Sequence, residues 1–229
     1  MNVVTDNIRA SKEKILALEQ QSGRPEGSVT LLAVSKRQPV AKIREAAAAG
    51  LRDFGENYLQ EALEKKRQLW DLADLTWHFI GPIQSNKTIG ISENFDWVHS
   101  VDRSKIARRL SDQRPTCQKR LNVCIQINLS DEKTKSGTTA THAAELCELT
   151  DSLPNLDLRG LMAIPAPTDD EYIQIKNFMT LSQLFNELRA KHTSMDTLSM
   201  GMSNDYGPAI LQGSTMIRLG TALFGRRPS

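Results

Sequence analysis

Residues 29–57 read VTLLAVSKRQPVAKIREAAAAGLRDFGEN, and this stretch contains one complete strand–helix–strand pattern. The apolar run Val29–Ser35 predicts a buried strand that ends at Lys36. An alanine-rich stretch over 40–49, closed by a glycine, predicts a helix. A second short strand is predicted at Asp53–Asn57. Strands that alternate with helices in this way are typical of parallel pairing.

The same alternation continues along the rest of the chain, and an amphipathic helix is predicted within residues 1–20. Eight strands in 229 residues favour an α/β fold, a (β/α)8 TIM barrel that forms a single domain over 1–229. A doubly wound open sheet is the alternative. The other six strands are predicted at Thr76–Gly81, Trp97–Val101, Val123–Leu129, Leu158–Ile164, Thr197–Met200 and Met216–Leu219. A helix capped by Asp102 or Ser104 is expected after the fourth strand.

Composition argues against several classes of protein. The net charge of +2, from 29 basic and 27 acidic residues, argues against a large nucleic-acid footprint, and short basic clusters such as 65–67 are interpreted as solvated faces or helix ends. The three cysteines and four histidines lack the spacing of a disulfide framework or a metal site. No membrane span or secretory signal is recognisable, so the cytoplasm is the expected compartment.

Lys36 is the first candidate for chemistry because it follows a buried strand directly. The C-terminal ends of the strands form the active face of such barrels. Burial disfavours the charged form of an amine, and a neutral lysine can hold an aldehyde as a reversible Schiff base. The alternative is a strand-end lysine whose ammonium group reaches water.

The last two strands predict a site for an anion. Phosphate groups in these barrels often lie at the loops after strands seven and eight, where Ser199, Gly220 and Thr221 occur. Arg218 precedes Gly220 by two residues and should face the barrel interior, where it needs an acceptor. A plain turn and an internal salt bridge are the alternatives for these residues. Together they outline a ligand with an aldehyde near Lys36, a ring acceptor near Arg218 and a phosphate, as in pyridoxal 5'-phosphate.

Several motifs occur in the order found in the pyridoxal phosphate homeostasis proteins, which the chain resembles over nearly its whole length. They are LAVSK at 32–36, FGENY at 54–58, HFIGPIQSNK at 78–87, KSG at 135–137, GLM at 160–162, LSMGMS at 198–203 and IRLGT at 217–221. The resemblance implies a barrel similar to the N-terminal half of alanine racemase. It also implies a Schiff-base lysine at Lys36.

The resemblance implies further contacts for the cofactor. Ser199, Gly220 and Thr221 would bind the phosphate, Arg218 would face the pyridine nitrogen, and Asn57 would lie near the ring. His78 would lie at the pocket wall without an assigned role. The chain differs from its relatives at Asn204, where aspartate is common, and at Arg226–Arg227. Neither difference is among the implied cofactor contacts.

These observations predict a binding protein for pyridoxal 5'-phosphate that buffers or delivers the cofactor inside the cell, without catalytic residues or a metal. An arginine at the ring nitrogen leaves the ring a weak electron sink, and the chain ends eight residues after Thr221, without the additional domain that supplies a racemase tyrosine. The expected partners are the small molecule and apo-enzymes that use it, with Lys135 as a possible relay amine or a solvated loop charge. A monomer is expected, although the sequence does not settle it against a dimer. An amino-acid racemase or lyase and a phosphosugar-binding barrel remain alternatives.

Overall fold

The computed structural model describes residues 3–129 and 136–225 as a closed barrel of eight parallel strands surrounded by helices. Each strand pairs with the next, and β1 pairs with β8 to close the barrel. The predicted TIM barrel is confirmed, and the open-sheet alternative is wrong. The strands are β1 (Thr30–Val34), β2 (Asp53–Glu56), β3 (Thr76–Phe79), β4 (Trp97–Val101), β5 (Leu121–Ile127), β6 (Leu156–Ala163), β7 (Thr197–Met202) and β8 (Met216–Leu219).

Helices connect the strands and cover the outside of the barrel. A 3-10 turn at Ser85–Lys87 precedes the fourth helix, and α1 packs against the second, eighth and ninth helices. The helices are α1 (Val3–Gln21), α2 (Val40–Ala48), α3 (Leu59–Gln68), α4 (Thr88–Asn94), α5 (Ser104–Gln113), α6 (Ala140–Asp151), α7 (Glu171–Arg189), α8 (Tyr206–Leu211) and α9 (Thr221–Phe224).

Strand residues alternate between two buried layers. Leu31 and Ala33 of β1 belong to the hydrophobic core between strands and helices, as do Phe54 and Trp77 of the next two strands. Leu32 is also fully buried, but it lies outside that cluster, as expected for a side chain that faces the barrel interior. The period of two therefore places every second strand residue inside the barrel, and the parallel direction of the strands brings their C-terminal ends to one end of the barrel.

Several local predictions differ from the structure. Neither Asp102 nor Ser104 caps α5, because the N-cap position is Arg103 and carries no side-chain hydrogen bond to the helix. The Asp102 carboxylate instead pairs with the Arg103 guanidinium at 2.6 Å. Strand β7 extends to Met202, two residues beyond its predicted end at Met200. No helix among the described residues is long and apolar enough to cross a membrane.

Candidate functional site

A cavity of about 310 Å³ lies at the C-terminal ends of the strands. Residues at or after the C-terminal ends of β1, β2, β3, β6, β7 and β8, together with Gln174 of α7, converge on it. Five of the six predicted binding residues line this cavity: Lys36, Asn57, Arg218, Gly220 and Thr221. The rest of the lining is Val34, Ile80, Ile164, Pro167, Thr168, Asp169, Gln174, Met202, Ser203, Asn204 and Asp205.

Lys36 projects into the cavity because it follows Val34 by two residues and shares its inward direction. It is half-buried. The next residue, Arg37, has a φ of 58°, which is unusual for a residue other than glycine. This left-handed turn, together with the 2.5 Å hydrogen bond from the Arg37 N–H to Glu61 Oε1, redirects the chain away from the barrel immediately after Lys36.

A buried ion pair holds the backbone behind Lys36. Lys65 donates from Nζ to Glu56 Oε1 at 2.7 Å, to Glu61 Oε1 at 2.6 Å and to the Ser35 carbonyl at 2.7 Å. The Ser35 hydroxyl donates to the same Glu56 oxygen at 2.6 Å. We call Lys36 with Ser35, Glu56 and Lys65 the amine end of the site. Lys65 is only 5% exposed, so the interpretation of residues 65–67 as a solvated face is wrong at this position.

The Glu56 carboxyl group is under opposing influences. Burial raises its pKa above the usual value, and the nearby Lys65 ammonium and Ser35 hydroxyl counteract that effect only in part. Its second oxygen, Oε2, is buried without a hydrogen-bond partner in the described structure. The carboxyl group therefore carries a desolvation cost that its partners offset incompletely.

Arg218 lies on β8, the strand that pairs with β1, and is 4% exposed. Its guanidinium group donates to the Ser199 carbonyl at 2.7 Å, the Ser199 hydroxyl at 2.8 Å and the Ala163 carbonyl at 2.8 Å. We call Arg218 with these acceptors the guanidinium end. Burial lowers its pKa to about 10, against the opposing influence of Asp205. The group therefore stays cationic at neutral pH and is fixed in orientation.

Ser199, which was predicted to bind the phosphate, does not line the cavity and lies below it in the barrel interior. It is fully buried, and its hydroxyl lies 3.0 Å from His99 Nδ1 as well as beside Arg218. Because β7 continues to Met202, Ser199 sits about 10 Å below the end of the strand. This position gives no support to the prediction that Ser199 contacts a phosphate.

Ser203 is a serine that does line the cavity, and sequence reasoning missed it. Its Oγ accepts a hydrogen bond from the Ala222 N–H at 3.3 Å, which ties the end of β7 to α9 beside Gly220 and Thr221. Ser203 closes the LSMGMS motif at 198–203, which was the available signal. Asn204, where the relatives often carry aspartate, also lines the cavity.

Asn57 presents a buried acceptor to the cavity. Its Oδ1 atom has no hydrogen-bond partner within the described structure. Gly81 permits the close approach of the β3–α4 connection to this residue, because a Cβ at that position would lie 2.3 Å from the Asn57 carbonyl oxygen. An unsatisfied buried amide oxygen that faces a cavity is suited to a ligand that donates a hydrogen bond there.

His78 does not line the cavity but lies below it, fully buried within the barrel. Among the described residues no cluster of histidine, cysteine and acidic side chains has the arrangement of a metal site. Cys117, Cys124 and Cys147 do not form disulfides with one another. Lys135 and Arg226–Arg227 lie outside the described residues.

Comparison with known proteins gives consistent results. The alanine racemase N-terminal domain family matches residues 7–228. A curated pyridoxal phosphate homeostasis protein of Pseudomonas aeruginosa is 55% identical over 99% of this chain and 97% of its own length. PipY of Synechococcus elongatus, solved with pyridoxal phosphate bound, has a TM-score of 0.81 and 38% identity over 93% of this chain and 99% of its own. Alanine racemase from Corynebacterium glutamicum shares the fold, with a TM-score of 0.65 and 19% identity over 95% of this chain and 61% of its own.

Proposed function

The chain belongs to the family of pyridoxal phosphate homeostasis proteins, and from that premise we propose that it binds pyridoxal 5'-phosphate and buffers or delivers it in the cell. The observation that carries the proposal is the convergence of an amine, a buried guanidinium group and an unpartnered amide oxygen on one cavity. Its relative PipY, with the cofactor bound, matches this chain over almost the whole barrel.

The lining residues fit the parts of this cofactor. When bound, it supplies an aldehyde that a primary amine can hold reversibly. Lys36 is the lysine that we propose for this attachment, because it projects into the cavity from the end of β1. Gly220, Thr221 and Ser203 are grouped where a phosphate can accept hydrogen bonds from hydroxyl and backbone groups. We propose Ser203, in place of the predicted Ser199, as the serine of this group.

The remaining polar groups fit the ring. Arg218 would face the ring nitrogen and keep it unprotonated, because two cations in contact would repel each other in a buried site. Asn57 Oδ1 would accept a hydrogen bond at the opposite edge of the cavity. This arrangement favours binding over carbanion chemistry, for which a carboxylate at the ring nitrogen is the usual partner.

The tyrosines support a carrier more than a racemase. None of the three, all within the described residues, lines the cavity. Tyr172 is 74% exposed and Tyr58 is 49% exposed, whereas Tyr206 is buried against α1, where Lys14 lies over its ring. The described barrel therefore offers no tyrosine as a second acid or base. We propose that catalysis is not its role.

Covalent trapping tests the proposal directly. Purified protein incubated with pyridoxal 5'-phosphate should stay yellow after gel filtration has removed the unbound cofactor, and borohydride reduction followed by peptide mapping should place a pyridoxyl group on Lys36. Lys36→Ala should lose the yellow absorbance, whereas Lys105→Ala, on the exposed face of α5, should retain it. An unmodified Lys36 in the wild-type protein would refute the attachment.

The same preparation separates the alternatives. A barrel for phosphosugars would stay colourless with pyridoxal 5'-phosphate. A racemase or lyase would exchange the α-proton of amino acids in deuterated water, whereas a carrier leaves that proton in place. We further propose that the protein works as a monomer in the cytoplasm and supplies apo-enzymes; light scattering and transfer to an apo-enzyme in the presence of a cofactor trap test these points.

A further inference from the structure

A continuous line of hydrogen-bonded groups runs through the barrel interior and ends at Arg218. Asp53 Oδ1, at the start of β2, lies 3.0 Å from His78 Nε2. His78 Nδ1 lies 3.0 Å from His99 Nε2, and His99 Nδ1 lies 3.0 Å from Ser199 Oγ. Arg218 donates to the same hydroxyl oxygen at 2.8 Å. The histidines and Ser199 are fully buried, whereas the Asp53 side chain is 30% exposed at the other end of the barrel.

When both histidine rings are neutral, the chemistry of the groups gives this line a single direction. An ionised Asp53 only accepts, so His78 must carry a proton on Nε2. In a neutral His78 the Nδ1 atom then accepts, and His99 donates to it from Nε2. Burial, reinforced by the charge of the neighbouring Arg218 guanidinium group, lowers the pKa of His99 well below its usual value, so His99 carries a single N–H group. Its Nδ1 atom therefore accepts from the Ser199 hydroxyl.

We propose that Asp53, His78, His99 and Ser199 form a directional relay that positions Arg218 as a guanidinium ion at the ring-nitrogen side of the cavity. Every donor in the relay points from Arg218 towards the Asp53 carboxylate. The histidines are thus positioning residues. The proposal rests on the proposed function only for the identity of the ring that Arg218 faces.

This direction also gives Ser199 a defined task. A hydroxyl group has one proton, and the relay commits it to His99 while the oxygen accepts from Arg218. No proton of Ser199 remains for a phosphate. The carbonyls of Ser199 and Ala163 complete the set of acceptors that hold the guanidinium plane.

Histidine tautomers in the cofactor-free protein provide the first test. Long-range ¹H–¹⁵N correlation spectra at neutral pH, assigned through single-histidine variants, should show His78 and His99 as neutral rings with the proton on Nε2. A proton on Nδ1 of either ring would overturn the proposed direction. This measurement does not depend on cofactor binding, so it stands even if the proposed function fails.

Affinity for a ring without nitrogen provides the second test. The carbocyclic analogue 1-deazapyridoxal 5'-phosphate keeps the aldehyde and phosphate but gives Arg218 no acceptor. We expect the wild-type protein to bind pyridoxal 5'-phosphate about tenfold more tightly than this analogue. His99→Leu should reduce that preference to about twofold or less, because the guanidinium group loses its fixed orientation.

Matched variants separate positioning from general damage. His99→Gln can accept from Ser199 and donate to His78, so it should restore the preference for the nitrogen-containing ring. Asp151→Asn interrupts the surface pair in which Asp151 Oδ2 lies 3.0 Å from His192 Nδ1 and should leave the preference unchanged. The proposal would be overturned if His99→Leu kept the full preference for the nitrogen-containing ring. It would also be overturned if the wild-type protein, while binding both compounds, showed no such preference. Failure of the wild type to bind either compound would refute the proposed function instead.

Discussion

The two ends of the site bury positive charge in opposite ways. At the amine end, Lys65 sits between two carboxylates, Glu56 and Glu61, on the outer side of the strands. At the guanidinium end, Arg218 donates to two carbonyl oxygens and a hydroxyl, and the Asp53 carboxylate is reached only through two histidines. Direct ion pairs therefore support the backbone that carries Lys36, whereas neutral acceptors surround the group that faces the ligand.

The difference has a physical reason. A carboxylate in contact with Arg218 would satisfy the cation and reduce its influence on a ligand, since each hydrogen bond to a charged partner is strong. Neutral acceptors fix the orientation of the guanidinium group, and the Asp205 carboxylate offsets the effect of its burial only in part. Lys65 has a structural task, and full pairing with Glu56 and Glu61 suits it.

The largest effect should come from breaking the ion pair at the amine end. Lys65→Met leaves the buried Glu56 without its cation and should lower the free energy of unfolding by about 3–5 kcal/mol. Urea denaturation at neutral pH measures this. Arg67→Met, on the exposed side of the same helix, is the control and should change stability by less than about 0.5 kcal/mol. A loss below about 1 kcal/mol for Lys65→Met would contradict the comparison.

An intermediate effect should distinguish the two serines. Ser203→Ala should reduce the preference for pyridoxal 5'-phosphate over pyridoxal about tenfold, because a hydroxyl at the phosphate side of the cavity is lost. Ser199→Ala should leave that preference nearly unchanged, since the Ser199 hydroxyl faces Arg218 and His99. Equilibrium titration with both aldehydes measures the ratio. A larger loss of preference in Ser199→Ala would restore the assignment made from sequence.

The smallest effect should appear in the pH dependence of stability at the amine end. Burial raises the pKa of Glu56, so the folded protein binds its proton more tightly than the unfolded chain does. The stabilisation that protonated Glu56 contributes is fully present below the usual pKa of about 4.5. It is lost as the pH rises from there through the raised pKa of the folded protein. Glu56→Gln cannot lose a proton, and its stability relative to wild type should therefore increase with pH over this window. A relative stability that falls with pH would reverse the sign of the shift.

Much of the fold follows from periodicities that the sequence displays directly. The strands at Trp97–Val101 and Met216–Leu219 have the predicted bounds, because apolar runs there are flanked by polar residues. The inward direction of Lys36 and Arg218 follows from alternation along short, regular strands. The positions of Lys36, Arg218, Gly220 and Thr221 at the cavity therefore follow from the strand ends, whereas Asn57 is predicted by the family resemblance alone.

The failures have local causes. Strand β7 contains a change of register between Ser199 and Met202, and the glycine between them, Gly201, has a φ of 93°. A count of alternate residues cannot reveal such a bulge, so Ser199 was placed too near the strand end. Lys65 lies in a charged helical run, and only the tertiary position of Glu56 explains its burial. The depth of Ser199 therefore depends on the bulge in its own strand, and the burial of Lys65 depends on its contact with Glu56 of β2.

Gly81 shows how a residue outside the cavity constrains what can evolve within it. Its Cα lies so close to the backbone of Asn57 that any Cβ would collide with the Asn57 carbonyl oxygen and Cα, at 2.3 and 2.7 Å. Even alanine would have to displace the chain segment that carries the unpartnered amide oxygen. We therefore expect substitutions of Gly81 to lower the affinity for the ligand and to be selected against, even though Gly81 does not line the cavity.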